Sequence, residues 1–444
     1  MIGKQQITAE SGTRLKPRGP ALFAKLGETP LQTGMLFSAQ MGATGIGFLI
    51  ILVQLHWMDP AEMGRYALCI SIILIGGLLI ELGIYPAGAR VLALSGDQSA
   101  ERNALGALLL LTLADGALFS LFLVAIAIPA EWIFKQNVRS LLVTAAALVF
   151  FQPLQRMVEE GCQGLNRIRK LSAFRLQQAA LQLVMLAALG VTHRLSARTA
   201  VIAYLASIGS IGCWTIATLR PRFHNSAQFL KLTLSELRGY GFNAYLANLT
   251  GTASTRLDTL IVSYYLGGAP VGLYFTAQKF SVPIATMSRA LAVTRFRAFA
   301  KLKRVPARIT RWNAAVLTVA SVTLAVAGPI LLKAFFPRYG SAAPLLVPFA
   351  AFSLAQGLFQ PYNMFLASHG RGADLRNIAI VTTIAGVAAL LLLVRHFGVL
   401  GAAWAGVFAM AVDYGLHLHY YGKHRRRIAE PNSVVCAPIA PIGS

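Results

Sequence analysis

The apolar residues of this chain are grouped in about twelve blocks of roughly 20 residues, joined by short connections. An α-helix of about 20 apolar residues is long enough to cross the hydrocarbon core of a bilayer. We therefore expect membrane spans at about residues 33–55, 65–88, 105–129, 140–159, 172–192, 199–219, 241–265, 270–293, 312–333, 343–366, 376–394 and 399–420.

The composition agrees with a chain that lies in a membrane. Of its 444 residues, 56% are hydrophobic and 13% are charged, which is outside the usual range of soluble globular proteins. Because lipid offers the backbone no hydrogen-bond partner, apolar spans of this length have to be helical. The predicted fold class is an all-α polytopic membrane protein with about 12 transmembrane helices.

Lysine and arginine are concentrated in every second connection, with about thirty on one side of the membrane and about eight on the other. Short connections rich in these residues stay in the cytoplasm. Both termini are therefore predicted to be cytoplasmic, in a multi-pass protein of the cell inner membrane. The net charge of +24 then reflects topology and attraction to anionic membrane lipids. No nucleic-acid partner is expected, because the basic residues are not interleaved with aromatic ones on one face.

The sequence offers little for catalysis. The connections on the outer side have about ten residues or fewer, so no extracytoplasmic domain is expected. The chain contains no H-E-x-x-H, no P-loop lysine, no cysteine pair at zinc spacing and no G-x-S-x-G. We predict that the protein is not an enzyme and has no cofactor or metal, while coupling to H⁺ or Na⁺ remains open. Transport is the function class that needs only the helices.

Two short motifs recur at an offset of 208 residues, which indicates an internal repeat. They are Phe151-Gln152-Pro153 with Phe359-Gln360-Pro361, and Gly64-x-Tyr66 with Gly272-x-Tyr274. The two prolines are expected late in corresponding helices, where they would kink the helix either as hinges or as static bends. Six spans per repeat is an even number, so we expect two six-helix lobes related by a pseudo-two-fold axis along the membrane normal.

The repeat divides the chain into five predicted segments. They are a basic cytoplasmic tail at 1–32, an N-terminal lobe at 33–219, a cytoplasmic linker at 220–240, a C-terminal lobe at 241–420 and a cytoplasmic tail at 421–444. The substrate path is expected to run between the lobes.

Charged side chains inside predicted spans mark the candidate functional residues, because such groups are costly in lipid and tend to face a cavity or a partner. They are Glu81, Asp115, Arg256, Asp258, Lys279 and Asp413. The seventh span is the most polar, and one of its faces carries Asn248, Thr252, Arg256, Thr259 and Ser263 at helical spacing. A polar face of this kind suits a water-filled groove.

Each candidate also has a structural interpretation. For Arg256 the polar face favours cavity lining over an ion pair, whereas for Asp258 an ion pair is favoured, with Lys279 as the candidate partner. Asp115 and Asp413 fit equally well a role in holding helices together and a role in carrying a proton. Arg156 lies near a cytoplasmic helix end, where extension of the side chain to the interface is the default.

Several stretches resemble the oligosaccharide and polysaccharide flippases of the multidrug/oligosaccharidyl-lipid/polysaccharide (MOP) exporter superfamily, and the resemblance runs from about Leu31 to Tyr421. They are Met63-Gly-Arg-Tyr66, Glu81-Leu-Gly83, Gln163-Gly-Leu-Asn-Arg167, Arg256-Leu-Asp258-Thr-Leu-Ile-Val-Ser-Tyr-Tyr-Leu-Gly267, Val271-Gly-Leu-Tyr274, Ala277-Gln-Lys279 and Gly398-Val-Leu-Gly-Ala-Ala-Trp-Ala405. These motifs identify the superfamily better than the substrate.

The resemblance implies a flippase that moves a polyprenyl-diphosphate-linked oligosaccharide across the inner membrane, by alternating access through a cationic cavity between the lobes. It also implies assembly of a surface polysaccharide such as exopolysaccharide, lipopolysaccharide or O-antigen, with a polymerase and export proteins as partners. Arg256 and Lys279 would then meet the diphosphate or acidic sugars. Asn248, Thr252 and Gln40 would line the cavity, and because Gln40 is uncharged the second lobe would supply most of the positive charge.

Three alternatives remain. One is a cation-coupled multidrug antiporter of the same superfamily, in which carboxylates such as Asp115 or Asp413 exchange cations for drugs. The others are a non-catalytic scaffold for envelope polysaccharide assembly and a sugar-modifying membrane enzyme. The dominance of Arg and Lys in the second lobe favours an anionic cargo over drugs. The short outer connections argue against the enzyme, and the polar membrane faces argue against the scaffold.

The predicted topology can be tested with reporter fusions. A reporter fused after Ser444 should be active only when it is of the cytoplasmic type, and a reporter inserted at Gly268 only when it is of the periplasmic type. Periplasmic activity of the Ser444 fusion would contradict the topology and the cavity assignments that depend on it.

Overall fold

The computed structural model describes residues 29–242, 245, 256–294, 299–300 and 302–429, and these residues form helices and short connections without a β-strand. The helices are α1 (Thr29–Trp57), α2 (Pro60–Glu81), α3 (Ile84–Leu94), α4 (Gln98–Phe134), α5 (Arg139–Val149), α6 (Gln152–Gly164), α7 (Ile168–Val191), α8 (Ala197–Leu219), α9 (Ser226–Glu236), α10 (Leu257–Leu266), α11 (Gly268–Thr294), α12 (Ala307–Phe335), α13 (Leu346–Leu358), α14 (Gln360–Ser368) and α15 (Gly372–Ala429). A π-helical turn at Leu237–Gly241 follows α9, and a 3₁₀ segment at Pro337–Leu345 precedes α13.

The prediction of an all-α polytopic membrane protein is confirmed. Among the described residues, eight helical segments are long and apolar enough to cross a membrane, and the bent pair α5 and α6, with 44° between its members, makes a ninth. Wherever residues are described, the twelve predicted blocks are mainly helical, and the last two of them lie in the single helix α15. The predicted span 241–265 is described mainly from Arg256 onward.

The long helix α15 contains two of the predicted spans. Its 58 residues would extend about 87 Å at about 1.5 Å per residue, far beyond a hydrocarbon core of about 30 Å. The backbone leaves helical geometry at Gly398, where φ is 59° and ψ is −139°. This glycine lies between the predicted spans 376–394 and 399–420.

The chain forms two compact units, one up to Phe275 and the other from Thr276 onward. The predicted linker 220–240 contains α9, which packs against α3 and α4 of the first unit. Arg90 of α3 binds Glu236 of α9 at 3.1 Å and lies over the ring of Tyr240. The predicted lobe boundaries, and the predicted tails at 1–32 and 421–444, stay predictions, since residues 1–28 and 430–444 lie outside the described part.

Within the first unit, alternate connections gather at opposite ends, as the charge pattern predicts. At one end, the start of α4, the turn before α7 and the end of α8 line a common cavity. At the other end, the backbone N–H of Ala197 donates to Glu62 at 2.7 Å, and Gln136 donates to Ser263 at 2.8 Å. Between the two ends lies an apolar core that includes Tyr85, Leu105, Leu108, Met157, Phe174 and Ile216.

The repeated glycines Gly64 and Gly272 lie in a reciprocal contact between α2 and α11, within the first unit. A Cβ atom on Gly64 would overlap the carbonyl oxygen of Gly268, and a Cβ atom on Gly272 would overlap that of Pro60. Residues 60 and 268 are themselves separated by the repeat offset, so each repeat presents the same two positions to the other. Small residues permit this close approach of two backbones in a membrane.

The second repeated motif marks a helix break. Phe151 and Phe359 are the residues immediately before α6 and α14, and each is followed by Gln and Pro in the first helical turn. The expectation that Pro153 and Pro361 lie late in their helices is therefore wrong. A proline lacks the N–H that a first helical turn leaves unbonded, so it favours the start of a new helix.

The close glycine contact predicts a strong effect of one methyl group. Gly64→Ala and Gly272→Ala should each lower the free energy of unfolding by about 1–3 kcal/mol, since a backbone has to move to admit the Cβ atom. Gly45→Ala in α1 is the matched control, because no described atom lies within 4 Å of its Cβ position. Melting temperatures in detergent measure the difference. Equal melting temperatures of the Gly64→Ala and Gly45→Ala proteins would contradict the close contact between the two glycines.

Candidate functional site

Arg256 immediately precedes α10 and is half-buried in the first unit. Its guanidinium lies close enough to Tyr66 of α2, Tyr204 of α8 and Asp258 to interact with them electrostatically. Among the described residues, no carboxylate forms a salt bridge with it. Arg256 is therefore a positive charge inside the helical unit with hydroxyl groups as neighbours.

Buried amides extend this polar interior. The Tyr66 hydroxyl lies beside the amides of Gln54 in α1 and Gln182 in α7. Gln54 is fully buried, yet neither its Oε1 nor its Nε2 has a hydrogen-bond partner in the described part of the chain. Buried polar atoms are normally bonded, so such a group marks a place where a polar ligand or water fits. Tyr66, Gln54 and Gln182 were not among the predicted site residues, although both glutamines interrupt apolar blocks.

The polar face predicted for the seventh span is described only in part. Asn248 and Thr252 lie outside the described residues. Thr259 and Ser263, further along the same face, are about 1% exposed, and Ser263 accepts the hydrogen bond of Gln136. This end of the face is packed against protein and does not line a water-filled groove.

Asp258 is held by its own helix and by α11. Its Oδ1 accepts the N–H of Thr259 at 2.6 Å, and its Oδ2 accepts the hydroxyl of Tyr274 at 3.0 Å. Tyr274 was not anticipated as a partner. The predicted pairing of Asp258 with Lys279 stays a prediction. Lys279 itself is half-buried on α11.

Glu81 forms a buried ion pair at the end of α2. The side chain is about 3% exposed, and Arg156 of α6 approaches both of its oxygens at 3.0 and 3.2 Å. Arg156 also lies 3.8 Å from Glu160. The expectation that Arg156 extends to the interface is therefore wrong, because the forked guanidinium is bound to a carboxylate inside the unit.

Gln40 accepts a hydrogen bond from an arginine of α7. Arg175 of α7 donates to the Gln40 Oε1 at 3.0 Å and to Glu159 at 3.2 Å. Gln40 is exposed in this structure, but its side-chain oxygen already has a donor. The Arg175 contact therefore links α1, α6 and α7 through one guanidinium.

Asp115 lies in the middle of α4 and is 6% exposed. The hydroxyl of Tyr85 in α3 donates to its Oδ2 at 2.5 Å. One hydroxyl leaves most of the acceptor capacity of a carboxylate unused, which is compatible with a bound proton as well as with a structural bond.

Asp413 has a different environment, in α15 of the second unit. Thr382 donates to its Oδ1 at 3.0 Å, and the Nδ1 atom of His417 lies 3.6 Å from its Oδ2. The His417 ring stacks on Phe359 at 4.7 Å between centroids. His417 was not among the predicted residues, although its spacing of four residues from Asp413 on a helix is a recognisable signal. Among the described residues, no group of three His, Cys, Asp or Glu side chains is placed to hold a metal ion.

Comparison with known proteins finds one family model that matches more than half of the chain. A family model described as "Polysaccharide biosynthesis protein" matches residues 56–339 of the chain. No curated protein matches the sequence.

Solved structures share the fold over nearly the whole chain. An inward-facing multidrug resistance MATE family transporter of the MOP superfamily is similar with a TM-score of 0.73 and 13% identity, covering 90% of this chain and 100% of its own. The lipid II flippase MurJ, in an inward closed conformation, is similar with a TM-score of 0.64 and 11% identity, covering 89% of this chain and 90% of its own. A MOP superfamily transporter from Pyrococcus furiosus, described as having a binding pocket of reversed polarity, is similar with a TM-score of 0.61 and 15% identity. The match covers 90% of this chain and 96% of that one. The chain therefore shares its fold with these three proteins.

The Glu81–Arg156 pair predicts a measurable coupling. Glu81→Gln should lower the free energy of unfolding by about 1–3 kcal/mol, because the largely buried guanidinium loses its charged acceptor. Arg65→Gln is the control, since Arg65 pairs with Glu62 at a more exposed position and should contribute less than about 1 kcal/mol. A double-mutant cycle with Arg156→Gln measures the interaction directly. Additive effects of Glu81→Gln and Arg156→Gln would contradict the pairing.

Proposed function

The chain belongs to the polysaccharide biosynthesis protein family, and from this premise we propose that it is an inner-membrane flippase for polyprenyl-diphosphate-linked oligosaccharide. The oligosaccharide would pass from the cytoplasmic to the outer leaflet by alternating access, and would there enter a surface polysaccharide such as exopolysaccharide, lipopolysaccharide or O-antigen. The protein acts in this proposal as a transporter and not as an enzyme. The fold that it shares with the lipid II flippase MurJ supports a lipid-linked cargo.

The observation that carries the proposal is the environment of Arg256. Each of the arginines Arg156, Arg167 and Arg175 in the first unit is bound to a carboxylate, at 3.0 to 3.2 Å. Arg256 interacts electrostatically with the Tyr66 and Tyr204 hydroxyls and with the Asp258 carboxylate, and it makes no salt bridge in the described part of the chain. A guanidinium offers forked donors that match phosphate oxygens, so a diphosphate is a suitable counterion for it.

The groups around Arg256 suit the sugar part of the cargo. Hydroxyls of Tyr66 and Tyr204 and the amides of Gln54 and Gln182 can donate and accept hydrogen bonds, as sugar hydroxyls require. Lys279, Asn248, Thr252 and Gln40 are the further residues proposed to contact the cargo. A polymerase and export proteins would take the oligosaccharide at the outer leaflet.

The carboxylates Asp115 and Asp413 are the candidates for coupling to H⁺ or Na⁺. Asp413 is the stronger candidate for H⁺, because the titratable imidazole of His417 lies 3.6 Å from its carboxylate. Glu81 and Asp258 are assigned a structural role, since Arg156 and Tyr274 bind them.

A cation-coupled multidrug antiporter is the second candidate function. It is favoured by the buried carboxylate of Asp115 and by the MATE fold. The two functions differ in what a deletion of the gene removes. Loss of surface polymer with unchanged drug resistance supports the flippase, and loss of drug resistance with normal polymer supports the antiporter.

Arg256→Ala should reduce surface polymer at least about tenfold, because a charge-assisted phosphate contact contributes about 1.5–3 kcal/mol. Arg256→Lys should restore part of the export, since the charge returns without the forked donors. Arg198→Ala is the matched control, because it also removes one positive charge, at an exposed position of α8. This variant should export polymer normally. Polymer and membrane abundance are measured for all three variants. Normal polymer from Arg256→Ala at normal abundance would remove Arg256 from the cargo site.

A further inference from the structure

A basic cavity of about 1040 Å³ opens at the end of the first unit where α4 and α7 begin and α8 ends. Its described lining contains five cationic side chains and no carboxylate. The five are Arg102, Arg167, Arg169, Lys170 and Arg220. Arg167, Arg169 and Lys170 are close together in the sequence around the start of α7. The fold adds Arg102 from the first turns of α4 and Arg220 from the residue after α8.

Little of this positive charge is neutralised within the protein. Glu101, behind the wall, accepts from Arg167 at 3.0 Å and balances one of the five charges. Lys170 donates to the carbonyl and hydroxyl of Thr218 at 3.0 and 3.2 Å, which are neutral acceptors. Arg102, Arg169 and Arg220 have no salt bridge with any carboxylate in the described part of the chain. Cations held this close repel one another, and a bound anion relieves that repulsion.

The wall of the cavity is fixed by backbone contacts. Asn166 and Arg220 both adopt a left-handed conformation with φ of 53°, which turns the chain sharply after α6 and after α8. The N–H of Arg222 then donates to the carbonyl of Arg102 at 2.9 Å, and this bond ties the segment after α8 to α4. The guanidinium groups of Arg102 and Arg220 therefore project from anchored positions, which lowers the entropy cost of binding.

The position of the cavity selects the kind of anion. It lies at the ends of three membrane-spanning helices, which is the level of the lipid headgroups. One wall carries Trp214, whose surface is 66% exposed, together with the apolar side chains of Ile168 and Leu219. Tryptophan favours the boundary between headgroups and acyl chains. A ligand with a phosphate and an apolar portion fits this combination better than a fully soluble anion.

We infer that the basic cavity binds the phosphate headgroup of an acidic glycerophospholipid from the surrounding leaflet. Its arginines donate to the phosphate oxygens, and Trp214 contacts the glycerol and the first acyl carbons. Basic pockets between helices on the cytoplasmic side are suited to such headgroups, and the charge pattern of the sequence predicts this end to be cytoplasmic. The inference does not depend on the identity of the transported cargo.

Binding can be tested with the purified full-length protein. Phosphatidylglycerol is titrated into detergent-solubilised protein, and bound lipid is counted by native mass spectrometry while the melting temperature is followed. The wild-type protein should bind phosphatidylglycerol and melt at a higher temperature with it, and should bind phosphatidylcholine much more weakly. Equal binding of the two lipids would overturn the inference, because the charge of the headgroup would then play no part.

The double variant Arg169→Gln/Arg220→Gln removes two exposed charges from the cavity. Its affinity for phosphatidylglycerol should fall about 30-fold, since each basic residue at a membrane surface contributes about one kcal/mol. Arg194→Gln/Arg198→Gln is the matched control, because both residues are exposed at the opposite ends of α7 and α8. It should bind like the wild type. Wild-type affinity in the cavity variant, with the same melting temperature in the absence of lipid, would overturn the inference.

A third experiment distinguishes a lipid ligand from a soluble phosphate ligand. Glycerol 3-phosphate and inorganic phosphate are tested as competitors of phosphatidylglycerol, and Trp214→Ala removes the apolar wall while the charges remain. The lipid assignment predicts weak competition and a loss of phosphatidylglycerol affinity in Trp214→Ala. Full competition at comparable concentration, with unchanged lipid affinity in Trp214→Ala, would show a soluble-phosphate site and contradict the assignment.

Discussion

Lipid gives the backbone no hydrogen-bond partner, so each interruption of a helix in this protein has to be satisfied by other protein groups. Pro361 has no N–H, and the carbonyl of Gly357, four residues earlier, loses its helical donor. That carbonyl accepts the hydroxyl of Ser288 at 2.7 Å and the amide of Asn313 at 3.1 Å. Both side chains are buried, so their polarity serves the helix break and is not a sign of cargo binding.

The corresponding break in the first unit is accommodated by glycines. A Cβ atom on Gly116 would lie 2.6 Å from the carbonyl oxygen of Phe150, and one on Gly209 would lie 2.9 Å from the ring of Phe151. The neighbouring helices α4 and α8 therefore carry glycine where the bent chain between α5 and α6 meets them. The repeat preserves the break at Phe-Gln-Pro, while the means of packing around it differ between the two copies.

The features that the sequence predicted are those that follow from the order of residues along the chain. Span length, the alternation of basic connections and the 208-residue offset need no knowledge of which helices touch, and the helices agree with the predicted spans and the predicted repeat wherever they are described. Pairings across the fold were not predictable in this way. Tyr85 and Asp115 are separated by 30 residues and Glu81 and Arg156 by 75, and nothing local identifies either partner. For the candidate site, Arg256 was predicted from its place in an apolar block, whereas the proximity of Tyr66 and Tyr204 depends on helix packing.

The balance of charge distinguishes two regions of the first unit, which are the basic cavity and the surroundings of Arg256. The chain has 40 basic and 16 acidic residues, so carboxylates cannot neutralise most of its cations. Glu81, Glu101, Glu159 and Glu236 are each assigned to an arginine by the fold. The cations left over at helix ends can be balanced by headgroups, as in the basic cavity. Arg256 lies within a predicted span, where headgroups do not reach, and Asp258 interacts with it electrostatically without a salt bridge, so the proposed function requires an anionic group that enters the protein to pair with the guanidinium. A cargo with a diphosphate meets that requirement, whereas a cationic drug would add to the positive charge.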